Sequence, residues 1–244
     1  MNLILDIGNT RTKMAIFENH VLIHQQAVER LDESALDHYL SSHGPVENAI
    51  ISSVAESEGS LNDYLQHKAI RTILLNDSTP LPFSNDYETK ETLGKDRLAG
   101  IAGACRLYPA KNVLVIDAGT AITYDIKNTL EKYLGGSISP GLLMRFKALH
   151  TFTARLPLLE PGKTFRFPGR TTSDAIISGI QQGMMNEING FIDLVMEEYP
   201  EVVVLLTGGD SHFFDYKLKK TIFVVPDLIL IGLDSIINYN VKAG

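Results

Sequence analysis

The sequence has a single cysteine, Cys105, so no disulfide can form within the chain. That cysteine stands in a stretch that reads as a helix, Asp96–Leu107, and is expected to be a small core residue. No dense run of lysine or arginine occurs, and the formal charge is −7 at pH 7. A phosphate backbone needs a basic face, which argues against nucleic acid as the main partner. Nor does any stretch reach the roughly 20 apolar residues of a membrane-spanning helix. The first apolar run, Leu3-Ile4-Leu5, has no basic segment before it and reads as a strand. A soluble cytoplasmic protein is the expectation. Disorder is excluded too, because hydrophobic residues fill 44% of the 244 positions, enough for two modest cores.

Two familiar phosphate-binding signatures are missing. Gly162-Lys163-Thr164 resembles the end of a Walker A loop, but Pro157 occupies the position of its leading glycine and no strand precedes it. No G-x-G-x-x-G follows a strand. His20 and His24 have a metal-like interval, yet they lie in a strand region without a partner motif and read as surface histidines.

What the chain does contain is an internal echo. Leu3-Ile4-Leu5-Asp6-Ile7-Gly8-Asn9-Thr10 leads into Thr12–Phe17, and Val113–Ile116 followed by Asp117-Ala118-Gly119-Thr120 leads into Ala121–Ile126. Each copy is an apolar strand ending in Asp-x-Gly, a polar turn and a second strand. The surroundings repeat as well. The first copy is followed by a strand near Val21–Val28, then helix, strand, helix and strand as far as Leu75. The second is followed by a strand near Tyr133–Ile138, a helix starting near Pro140 and a long helix near Thr172–Tyr199. Strand Val202–Thr207, a short helix near Ser211–Leu218, strand Ile222–Val225 and a closing helix near Leu228–Tyr239 complete it. The fold class is therefore α/β in two duplicated halves, residues 1–108 and 109–244. Each half is a mixed sheet of three antiparallel strands followed by alternating helices and strands. Thr79–Phe83 and Leu156–Arg170 read as surface connections. In the long helix Ile176, Ile180, Met184 and Ile188 fall at helical spacing, with Gly179 and Gly183 able to admit another backbone, so the helix suits a core and could add a dimer seam.

Paired Asp-x-Gly turns suit a nucleotide. A terminal phosphoryl group in transfer needs amide donors at close range, a divalent metal and a base aimed at the attacking hydroxyl. Small-residue turns supply the amides. Mg²⁺ takes one or two carboxylates and keeps several waters, which fits Asp6 and Asp117 at the ends of equivalent strands facing a cleft between the halves. A third feature lies between the copies: Tyr87, then Leu93-Gly94-Lys95-Asp96-Arg97-Leu98-Ala99-Gly100. Asp96 at a helix start can orient a hydroxyl and accept its proton. Arg97 can pair with a substrate carboxylate through two parallel hydrogen bonds. The same residues also fit a plain helix start with a surface ion pair.

Asp6-Ile7-Gly8-Asn9-Thr10, Gly94-Lys95-Asp96-Arg97 and Asp117-Ala118-Gly119-Thr120-Ala121 occur here in one order, followed by Gly135-Gly136-Ser137-Ile138-Ser139-Pro140-Gly141, Thr171-Thr172, Ser178-Gly179 and Thr207-Gly208-Gly209-Asp210. In this order and spacing, over essentially the whole chain, the sequence resembles type III pantothenate kinases. The resemblance implies two ribonuclease-H-like domains of the actin-like ATPase type. It implies ATP-dependent phosphorylation of pantothenate, the first step of coenzyme A synthesis, by a dimer needing Mg²⁺ and a monovalent cation, K⁺ or NH₄⁺. It also implies site roles. Asp6, Ile7, Gly8, Asn9, Thr10, Arg11, Thr12 and Lys13 would bind ATP phosphates, with Asp6 holding Mg²⁺ through water and Thr120 contacting ATP from the second turn. Asp117 would ligate the monovalent cation. Tyr87, Gly94, Lys95, Asp96 and Arg97 would hold pantothenate, Asp96 as the base, and Thr172 would reach the substrate. The other reading is a non-catalytic, nucleotide-binding regulator of the same fold.

Overall fold

The computed structural model describes residues 1–8, 11–53, 58–214, 218 and 220–242. The chain begins with β1 (Asn2–Ile7), β2 (Thr12–Glu18), β3 (Val21–Val28), α1 (Glu33–His43), β4 (Asn48–Ser53), α2 (Glu58–His67) and β5 (Arg71–Leu74). It continues with β6 (Ser84–Asn85), a single 3-10 turn at Lys90–Thr92, α3 (Lys95–Leu107), β7 (Val113–Ala118), β8 (Ala121–Lys127) and β9 (Lys132–Pro140). Then follow α4 (Leu142–Thr151), α5 (Thr172–Glu198), β10 (Val203–Thr207), α6 (Ser211–Phe214), β11 (Phe223–Val224) and α7 (Leu228–Lys242). No helix among the described residues is long and apolar enough to cross a membrane.

These elements form two compact units. The first comprises Met1–Pro109, Glu131–Tyr133 and Asp227–Gly244; the second comprises Ala110–Leu130 and Leu134–Pro226. In the first unit the sheet order is β3-β2-β1-β4-β5, with β1 antiparallel to β2 and parallel to β4. One face of β1, Leu3 and Leu5, packs with Leu36 and Tyr39 of α1 and Leu61 and Leu65 of α2. On the other face α7 packs on β1 and β4 and lies along α3. Two glycines permit that close approach. A Cβ at Gly232 of α7 would run into the Ala99 carbonyl, and one at Gly103 of α3 would crowd Leu228.

The second sheet has the order β11-β10-β7-β8-β9-β6. Its last pairing belongs to the first unit, where Lys132 and Tyr133 at the start of β9 align with Ser84 and Asn85 of β6. In the second unit Leu114, Ile116 and Ala118 of β7 share a core with Phe146 of α4 and Ile176, Ile180, Met184 and Ile188 of α5. The helix expected near Pro140 starts at Leu142, because β9 runs on to Pro140 and the amide of Gly141 donates to the Thr120 carbonyl at 3.1 Å. Helix α5 is capped by Thr171, whose hydroxyl oxygen accepts from the Asp174 amide at 3.1 Å. Cys105 is buried in α3, as its setting suggested.

Candidate active site

The first Asp-x-Gly turn is the loop between β1 and β2. Ile7 aligns with Thr12, and the Gly8 amide donates to the Arg11 carbonyl at 3.1 Å. Gly8 and Arg11 are exposed, whereas Thr12 is buried; Asn9 and Thr10 lie outside the described residues. Asp6 occupies the end of the central strand, aligned with Lys13 on β2 and Ser52 on β4. Burial pushes its carboxyl above the ordinary carboxylate range. The Lys13 ammonium works against that shift, the Asp96 charge adds to it, and a hydrogen bond from Ser52 opposes it. Three strands and the head of α3 thus converge on one carboxyl group.

At that helix head Asp96 is exposed and its carboxylate accepts from the Arg97 amide at 2.8 Å. This bond uses an amide that the helix leaves without an internal partner. Gly94 makes room for it, since a Cβ there would run into the Asp96 Oδ1 atom. Lys95, partly buried, follows as the first helical residue. Arg97 is buried, and its guanidinium lies over the Tyr87 ring at 5.3 Å from the centroid. The fold therefore gathers Asp6, Lys13, Asp96, Arg97 and Tyr87 within the first unit.

The second turn is tighter. Asp117 aligns with Thr123 and Ala118 with Ile122, and the Gly119 amide donates to the Ala121 carbonyl at 3.0 Å, leaving Thr120 exposed at the tip. Asp117 is flanked on its other side by Thr207 of the parallel strand β10. The chain after β10 then folds back over β7. Gly208 has φ +93°, and a Cβ there would run into the Ala118 carbonyl and the Asp117 carboxylate, so only glycine fits. The Asp210 amide donates to the Ala118 carbonyl at 2.9 Å, and burial raises the Asp210 carboxyl above its usual value.

Gly141 packs on the carbonyls of Gly119 and Thr120, where a side chain would collide. Its neighbourhood is tied down by Arg145, which donates to the Pro140 carbonyl at 2.8 Å, the Ser139 hydroxyl at 2.9 Å and Glu187 at 2.6 Å. The Tyr124 hydroxyl donates to the other Glu187 oxygen at 2.9 Å, and burial raises its pKa. Thr172 is exposed as the first residue of α5. Among residues given no role in the sequence reading, Gly208 and Gly141 shape the second turn. Their signal in the sequence is their place in the runs Gly135–Gly141 and Thr207–Asp210. His20 and His24 are exposed, although the His20 ring also bonds the buried Asp234 at 2.9 Å. Among the described residues no group of three or more His, Cys, Asp or Glu is placed to hold a metal.

Residues 2–194 match the type III pantothenate kinase family. The chain belongs to that family. The type III pantothenate kinase of Christiangramia forsetii is 43% identical over 241 residues, covering 98% of this chain and 99% of the relative. That of Bacteroides fragilis is 42% identical over 240 residues, covering 98% of each. Among solved structures, a Campylobacter jejuni protein described as a conserved Baf family transcriptional activator aligns with a TM-score of 0.61 at 25% identity, over 98% of this chain and 99% of that one. The Clostridium difficile activator of 2-hydroxyisocaproyl-CoA dehydratase, solved with ADPNP bound, aligns at 0.57 and 12% identity over 99% of this chain and 94% of that one. The second likeness shows the fold alone, that of the actin-like ATPases.

Proposed function

We propose that this type III pantothenate kinase transfers the γ-phosphoryl group of ATP to the primary hydroxyl of pantothenate, giving 4'-phosphopantothenate at the start of coenzyme A synthesis, with Asp96 as the general base. The observation that carries the assignment of the base is the convergence of Asp6, Lys13 and Asp96, in which the Asp6 carboxyl feels both other charges. A phosphate-side lysine and carboxylate beside an exposed carboxylate at a helix head form the pair of stations that phosphoryl transfer needs.

In this reading Asp96 accepts the proton of the attacking hydroxyl, held at a fixed angle by the Arg97 amide. Arg97 and Tyr87 take the substrate's carboxylate end, with Gly94, Lys95 and Thr172 completing the pantothenate contacts. The turn from Ile7 to Lys13, including Asn9 and Thr10, and Thr120 bind ATP. Asp6 fits a water-mediated Mg²⁺, because burial disfavours its bare charge and a hard cation takes carboxylate oxygen. Asp117 fits a monovalent cation, its carboxylate hemmed by the Gly208 cradle that a Cβ would fill. Mg²⁺ held there would neutralise phosphate charge, while positioning comes from the chain itself. The two duplicated halves, 1–108 and 109–244, each contribute one Asp-ended strand.

A homodimer belongs to the same reading. On α5, a Cβ at Gly179, Gly183 or Gly190 would meet nothing within 4 Å, and Leu194 nearby is exposed, which suits a second copy. The deciding experiment is ATP-dependent phosphorylation of pantothenate by the purified protein with Mg²⁺ and either K⁺ or Na⁺. Turnover that depends on K⁺ supports the enzyme and its cation together. ATP binding without turnover in either salt favours the regulator, a reading to which the Campylobacter jejuni likeness lends some support.

A further inference from the structure

Arg97 belongs to a cluster of stacked contacts centred on Tyr87. Its Nη1 atom donates to the Tyr87 hydroxyl at 3.4 Å while its guanidinium covers the Tyr87 ring. On its own account Tyr87 lies almost parallel to Tyr133, with centroids 6.0 Å apart and 9° between planes. Both spacings fall within attractive ranges, up to roughly 6 Å for a cation over a ring and roughly 4.5–7 Å for offset rings. Tyr133 is wholly buried. The backbone around it is held as well: it aligns with Asn85 of β6, its carbonyl accepts from the Asp86 amide at 3.2 Å, and Lys132 beside it bridges Asp86 at 2.6 Å. The Asn85 side chain accepts from the Tyr87 amide at 2.9 Å, fixing where Tyr87 leaves β6. Tyr87 therefore touches both the Arg97 guanidinium and the Tyr133 ring, and Tyr133 is locked into the sheet.

We propose that Tyr133 is a positioning residue for substrate selection: it holds Tyr87 flat, and through Tyr87 keeps the Arg97 guanidinium presented for the carboxylate of the acceptor. This rests on the reading that Arg97 recognises that carboxylate. A guanidinium already immobilised in the free enzyme loses less freedom when the carboxylate arrives, so the fork favours acids over neutral analogues of the same shape. The consequence falls on discrimination between acceptors rather than on phosphoryl transfer itself. Tyr133 touches neither reacting atom.

The test uses the full-length enzyme with pantothenate and with panthenol, which keeps the primary hydroxyl and lacks the carboxylate. Tyr133→Leu is expected to raise KM for pantothenate about fivefold to tenfold, with kcat within about twofold and KM for ATP unchanged. Its KM for panthenol should stay near the wild-type value, and Tyr133→Phe, which keeps the flat face, should behave as wild type. Where thermal unfolding shows that the leucine variant does not fold, Tyr133→Met removes the ring, fills the gap with a more adaptable side chain and reads the same quantity. An equal rise of both KM values, or no rise in either, overturns the proposal. Arg97→Met, which removes the positive charge, separates the two ideas. If it abolishes the preference for pantothenate over panthenol while Tyr133→Leu leaves the preference intact, only the role of Tyr133 fails. If Arg97→Met keeps the preference, the carboxylate reading fails and the role of Tyr133 falls with it.

Discussion

Asp6 stands opposite Lys13 across the β1–β2 ladder. The equivalent carboxylate of the second copy, Asp117, stands opposite Thr123. The connection from Asp6 to Lys13 is one residue longer than that from Asp117 to Thr123, so the duplicated turns are chemically unequal. The copy with the lysine is suited to phosphate charge and the other to a lone cation. Lys13→Met is expected to weaken ATP binding by about tenfold or more, measured calorimetrically. It should also push the Asp6 carboxyl further up, since the lysine charge now holds it down. Unchanged ATP affinity would remove Lys13 from the phosphate site.

Asp96→Asn keeps the shape of the helix head but removes the proton acceptor. Turnover should fall by roughly 10² to 10⁴, with the dissociation constant for ATP within about threefold of wild type. Near-normal turnover in a folded variant would sink the assignment of the base.

The raised Asp6 carboxyl makes a prediction for pH. Its folded-state pKa lies above the unfolded one, so the stability it contributes is complete below the unfolded value and is lost as pH rises through the folded value. In the absence of ligands, Asp6→Asn should therefore raise the melting temperature at neutral pH, and the gain should shrink in acid. The same variant should be nearly inactive. A melting temperature lower than wild type at neutral pH would contradict the burial argument.

Glycines on two helices should respond in opposite directions. Gly232→Ala forces a methyl group into the Ala99 carbonyl and is expected to cost about 2–4 kcal/mol in urea unfolding. In the monomeric Gly183→Arg background, Gly190→Ala meets open space in the chain and should be neutral or stabilising by up to about 1 kcal/mol. Equal effects would mean that the α3–α7 contact is looser than described.

The open face of α5 makes the oligomer testable. Light scattering should give twice the mass of the chain, and Gly183→Arg should return it to one. A wild-type monomer would remove the proposed seam.

The paired turns were legible because a continuous apolar strand ending in Asp-x-Gly and a polar turn recurs in equivalent surroundings. The head of α3 was legible from Gly94 and its acid–base pair. What could not be read was contact between distant segments. Nothing around Tyr133 announces that the start of β9 belongs with the first unit and stacks on Tyr87. Gly208 looked like a turn residue, and its closeness to the Asp117 carboxylate depends on the parallel pairing of β10 with β7. Short elements such as β6, two residues long, carry too little pattern to be seen. In each case the determining interaction is non-local, and local periodicity does not encode it.

The return of α7 to the first unit bears on how the chain is made. Its residues Leu228–Lys242 cover β1 and β4 and lie against α3, yet they are synthesised after the whole of the second unit. A chain still attached to the ribosome thus holds its first sheet with one apolar flank bare. The first unit, although most of it is translated earlier, cannot finish before α7 has emerged, and its folding waits on the whole of the second unit.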